Sequence, residues 1–192
     1  MEGILQTLFL LFALTLSLAY LAPQETILGY SYKLIYLHLP LLYVSLISLS
    51  LCGVFSLASL RDERFYRRSF NAGVLGVAFG VGTLITTAAF MTMAWGGIAF
   101  SEPRLRALLI TYGLFFVYLG VHRLNRREVT ALYVIIATLL ALSTYYCLVY
   151  QTTFQLHPQG VSMPLKMKLP LYSSLAGFLV LYYYLFEKME KR

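Results

Sequence analysis

Charge is what this sequence has least of. Lys, Arg, Asp and Glu make up 12% of its 192 residues, against about 25% in an ordinary soluble domain. With 59% of the residues hydrophobic, there is too little polar surface for a water-soluble globule of this size. The composition implies an integral membrane protein, a single helical domain over residues 1–192. The formal net charge of +7 then reports which loops face the cytoplasm and is no sign of nucleic-acid binding. Cysteine is scarce too. Cys52 and Cys147 both fall in apolar runs and make no CxxC or CxxCH, which excludes a covalently attached c-type heme on this chain. No G-x-x-x-x-G-K-[ST] is present to cradle nucleotide phosphates. No charged residue lies deep within an apolar run, which argues against a proton- or ion-coupled transporter. Asparagine occurs twice, a faint thermophile signal.

What is abundant is long apolar sequence. About 20 apolar residues cross the hydrocarbon core as a helix, and six runs qualify: Ile4 to Leu21, Leu34 to Leu60, Ser69 to Thr92, Arg104 to Val121, Val129 to Tyr150, and Leu169 to Phe186. The runs are continuous, not alternating, so a barrel is not expected. Glu2 precedes the first run with no Lys or Arg beside it, the wrong start for a secretory signal, so that run is read as a retained helix. The fold class predicted is all-α, a bundle of six transmembrane helices.

Loop charges orient the bundle. Arg61, Arg64, Arg67, Arg68, Arg123, Arg126, Arg127, Lys188, Lys191 and Arg192 fall on one side, ten basic residues, against five on the other: Lys33, Arg104, Arg106, Lys166 and Lys168. The larger count marks the cytoplasm, which puts both termini inside. The outer side then holds Pro23 to Lys33, the segment around Trp95, and Gln151 to Lys168. Those loops are the longer, more aromatic ones, so the working surface is expected there. In the third run, Gly76 and Gly80 form a G-x-x-x-G, read as close helix packing.

The candidate site residues lie on that outer side. Of the three histidines, His122 falls at the cytoplasmic end of the fourth run and reads as interfacial. His38 and His157 fall at the outer ends of the second and fifth runs, each followed by proline. Neutral imidazoles from two helices suit the opposite faces of a heme iron. Zinc fits less well, with no third His or Cys nearby. The only tryptophan, Trp95, begins Trp95-Gly96-Gly97-Ile98-Ala99-Phe100-Ser101-Glu102-Pro103-Arg104-Leu105. Gly96 and Gly97 allow close backbone approach. Glu102 and Pro103 suit a helix start, with Glu102 near the helix N-terminus or paired with Arg104 or Arg106.

This segment resembles a worn version of W-G-x-W-W-x-W-D-x-R-L, the signature of membrane heme-handling proteins. Lys33 to Pro40, KLIYLHLP, is similar to R-I-x-Y-x-H-V-P. Tyr118-Leu119-Gly120-Val121 resembles Y-x-G-V, and Leu156-His157 with Gly160 resembles L-H-Q-G. In this order the motifs resemble the heme exporter protein C (CcmC) family of cytochrome c maturation over most of the chain. The resemblance implies a non-enzymatic protein that presents heme b, bound transiently and non-covalently, on the outer face of a cell membrane. A membrane-anchored heme chaperone receives it, and ABC-type permease and ATPase subunits complete the assembly. By position, His38 and His157 would be the axial iron ligands. Trp95, Gly96, Phe100, Glu102 and Arg104 would form the heme-binding platform, with Arg104 toward a propionate or a chaperone carboxylate.

The sequence departs from the pattern at Ile98, Ala99 and Ser101, which stand where aromatic residues are expected, and Glu102 replaces an Asp. Its short loops favour a prokaryotic, archaeal or thermophilic member over a mitochondrial one. The alternatives left open are a heme lyase-type subunit, a cytochrome b-like electron carrier, and a structural subunit that has lost heme.

Overall fold

The computed structural model describes residues 10, 12–17, 20–22, 29–150 and 165–191. Five helices among them are long and apolar enough to cross a membrane. We number them α1 (Ile35–Ala58), α2 (Arg64–Trp95), α3 (Pro103–His122), α4 (Arg127–Tyr145) and α5 (Leu165–Glu190). They correspond to the second through sixth runs of the sequence. A 3-10 turn, Tyr30–Leu34, leads into α1, and a π turn, Tyr146–Tyr150, extends α4. No strand element occurs among the described residues. Of the first run, residues 10, 12–17, 20 and 21 are helical. Its Phe12 meets Phe178 of α5 edge to face at 5.3 Å.

Large apolar side chains point outward along the helices, including Ile85, Phe116 and Leu142, each more than 60% exposed. In water such a surface would drive aggregation; in a bilayer it meets lipid. The protein is a multi-pass membrane protein.

Helix α2 is the centre of the bundle: half of its most apolar stretch is buried, against 17% for α4 and for α5. Its glycines explain how neighbours come so close. A Cβ on Gly73 would lie 2.6 Å from the Tyr118 ring, one on Gly76 2.5 Å from Leu49, and one on Gly80 2.4 Å from Tyr112. The small-residue stripe therefore receives α1 on one side and two tyrosines of α3 on the other. Serines add polar glue. Ser45 and Ser48 of α1 donate to the Gly76 and Ala72 carbonyls of α2, each at 2.7 Å. Ser56, Ser69 and the Tyr118 hydroxyl form a buried chain with links of 3.2 and 2.7 Å.

The turn between the second and third runs is shorter than the arginines imply. Their charge points to a turn that includes Arg64, Arg67 and Arg68, but α2 already starts at Arg64. Charge marks where a chain leaves lipid, not where a helix stops. Arg64 pairs with Asp62 at 2.8 Å and holds that exposed carboxyl below its usual range. Arg67 donates to the Met189 carbonyl at 2.7 Å, while Arg68 and Asn71 bind the two Glu190 oxygens at 3.2 and 2.6 Å. These bonds tie the end of α5 to the start of α2.

Candidate functional site

Three local devices set the surroundings of His38. The first is Pro40, which lacks the N–H that would bond the Tyr36 carbonyl one turn earlier. Ser174 of α5 replaces that donor, with its hydroxyl 2.6 Å from the Tyr36 oxygen. An interhelical hydroxyl thus satisfies a backbone group that proline leaves open inside the membrane. The second is the hydroxyl pair on α2. The His38 Nδ1 lies 3.2 Å from Thr87 Oγ1 and 3.4 Å from Thr86 Oγ1. The third is the face of α2 that follows. Thr87, Phe90, Met91 and Trp95 are spaced i, i+3, i+4 and i+8, so they line one side of the helix.

Trp95 ends α2 half-buried, and its indole meets Phe90 edge to face at 5.7 Å. It lies about 12 Å farther along the helix axis than Thr87. His38 is therefore on the same end of the bundle as Trp95 but recessed below it, by about two helical turns. The sequence pattern alone puts both at the outer edge.

Gly96 closes α2 with a left-handed backbone, φ 76°, and donates to the Thr92 carbonyl at 3.1 Å. Positive φ is the requirement it meets, since nothing described lies within 4 Å of a Cβ built there. Glu102 is the N-cap residue of α3 and is fully buried. Pro103 takes the first helical position, as its fixed φ favours. Arg104 is half-buried in the first turn, and Arg106 donates to the Phe100 carbonyl at 2.7 Å. Phe100 is 65% exposed, so its ring lies on the surface of the connection. His157 lies outside the described residues.

His122, read from the sequence as interfacial, is a structural latch. Its ring stacks on Tyr66 at 3.9 Å and donates from Nε2 to the Tyr66 carbonyl at 3.0 Å. The Tyr66 hydroxyl returns a bond to the His122 carbonyl at 2.8 Å. Residues 56 positions apart make this pair, and no local pattern announces it. Tyr145, Tyr146 and Tyr150 form a ring cluster where α4 ends, with centroids 5.8 and 6.2 Å apart. The sequence reading singled out none of these three.

Among the described residues, no three His, Cys, Asp or Glu side chains gather to hold a metal ion.

The profile of a family described as cytochrome C assembly protein matches residues 3–157. This chain belongs to that family. A putative cytochrome c biosynthesis ccmC-like mitochondrial protein from Marchantia polymorpha is 26% identical over 170 residues, 84% of this chain and 73% of the relative. The cytochrome C assembly family gives the protein a role in cytochrome c biogenesis, alongside other assembly components, as the resemblance implied. Members of this kind are biogenesis components and not conventional enzymes. The relative is a plant mitochondrial protein, so it lends no support to the prokaryotic source expected from the short loops.

Proposed function

We propose that this protein carries heme as cargo on the outer face of the membrane and passes it to a membrane-anchored heme chaperone during cytochrome c maturation. His38 and His157 are the axial ligands of the iron in this reading. Trp95 flanks the porphyrin, Gly96 sets the turn that follows it, and Phe100 offers a surface ring to heme or chaperone. Arg104 faces a propionate or a chaperone carboxylate, with Glu102 fixed below the connection. The reading includes six spans with both termini cytoplasmic, and ABC-type permease and ATPase subunits as partners. Heme supplies the iron; the chain supplies an imidazole, its orientation and a low-dielectric wall.

The observation that carries the reading is the setting of His38. A half-buried imidazole is braced through one nitrogen on α2, and the same face of α2 leads to the only tryptophan. In a cytochrome c assembly protein, heme is the ligand this arrangement suits best. The test is the absorption spectrum of the purified protein after hemin is supplied, beside His38→Ala and His157→Ala. A Soret and α band lost or shifted in both folded variants supports bis-histidine ligation. Parent protein that takes up no hemin in detergent or during expression refutes it.

A further inference from the structure

The two threonines beside His38 do more than fill space. A threonine hydroxyl has one proton to donate. Thr87 Oγ1 donates it to the Thr83 carbonyl at 2.7 Å. Thr86 Oγ1 points its own at the Thr83 and Gly82 carbonyls, at 2.9 and 3.0 Å. Both hydroxyls bond back to the turn below, as threonines within helices do. Toward the imidazole each can then only accept. With those protons directed to the backbone, the donor between them is the histidine; Nδ1 then carries the proton, and in the neutral ring the lone pair is on Nε2. Thr87, at 3.2 Å, is the principal acceptor; Thr86, at 3.4 Å, is the weaker one.

We propose that Thr86 and Thr87 are positioning residues that hold His38 as its Nδ1–H tautomer and so present the Nε2 lone pair to heme iron. The inference rests on the heme-ligand reading of His38. Histidine ligands to metals are commonly oriented this way, through an acceptor on the far nitrogen. Here the acceptors are hydroxyls whose own protons are committed to the backbone of α2. The ring and that helix therefore keep a fixed relation without any charged partner in the bond. A carboxylate acceptor would add a charge within a span, where charge is expensive; a hydroxyl adds none.

The experiment starts from heme-free protein in detergent, labelled with 15N-histidine, at alkaline pH, where the imidazoles are neutral. Three histidines in the chain make assignment by single variants direct. Thr86→Val/Thr87→Val keeps the β-branched shape and removes both acceptors, and Thr87→Ser keeps the principal hydroxyl. The parent and Thr87→Ser should show His38 with a protonated Nδ1, and the double valine variant a mixture or the opposite tautomer. Hemin affinity should fall about 10- to 100-fold in the double variant, the range for lost outer-shell partners, and stay near parent in Thr87→Ser.

An unchanged His38 tautomer in the double valine variant overturns the inference. So does a changed tautomer with parent-like hemin affinity, provided His38→Ala abolishes binding. If His38→Ala itself binds hemin like the parent, the ligand reading has failed and the inference falls with it. The His38→Ala control keeps these failures apart.

Discussion

Ser174 and Pro40 give the sharpest quantitative test of how the His38 turn is built. Ser174→Ala removes the hydroxyl that bonds the Tyr36 carbonyl at 2.6 Å and leaves the shape almost unchanged. Tyr36 is 0% exposed and Ser174 1%, so neither water nor lipid headgroups replace the bond. Leaving one buried backbone group without its partner costs about 1–3 kcal/mol. Interhelical hydrogen bonds in membrane proteins average about 0.6 kcal/mol, with a maximum near 1.7. The overlap puts the expected loss at about 1–1.7 kcal/mol. Pro40→Ala changes the arithmetic, because the substituted residue has an N–H that closes the ordinary helical bond to the same carbonyl. In that background Ser174→Ala should cost under about 0.5 kcal/mol, giving a coupling of about 1 kcal/mol in the double-mutant cycle. Reversible unfolding of the four proteins in mixed micelles, followed by far-UV circular dichroism, measures it. Equal costs for Ser174→Ala in the parent and in the Pro40→Ala variant would show that the serine does not substitute for the missing amide.

His122→Ala should destabilise by about 1–3 kcal/mol, because the side-chain bond to the Tyr66 carbonyl and the ring stack at 3.9 Å both disappear. At saturating hemin its Soret band should match the parent's, and a band lost from folded His122→Ala protein would put this histidine in the ligand set instead. Gly80→Ala drives a Cβ to 2.4 Å from the buried Tyr112 ring and should cost about 1–3 kcal/mol. Gly113→Ala, with nothing described within 4 Å, should be neutral or mildly stabilising in the same micelle assay; equal effects of the two changes refute the glycine-stripe account.

The apolar runs made five helices legible in the sequence, because hydrophobic length is a local property and the bilayer reads it locally. Their ends were less legible. Arg64 to Arg68 look like a loop when charge is taken as punctuation, yet they form the first turns of α2 and serve as its tie to Glu190. The G-x-x-x-G of Gly76 and Gly80 signalled close packing correctly. Spacing could not say that Leu49 of α1 fills one notch and Tyr112 of α3 the other. His38 stands out by its place at the end of an apolar run and by the KLIYLHLP resemblance, but its braces are 48 and 49 positions away on another helix. Thr86 and Thr87 resemble any β-branched pair in an apolar run. The latch between Tyr66 and His122 has the same non-local character, which is why a residue at a helix end read as merely interfacial.

Helix α2 has one more consequence. It is a continuous rod of 32 residues, about 48 Å long at 1.5 Å per residue. Its N-terminal end is anchored to the tail of α5 through Arg67, Arg68 and Asn71. Its C-terminal third carries the hydroxyls that meet the His38 ring, and its last residue is Trp95. A tilt of about 5° about that anchor would carry the tip roughly 4 Å sideways over that length. The brace of the imidazole and the indole would swing together, as the shaft and tip of one lever.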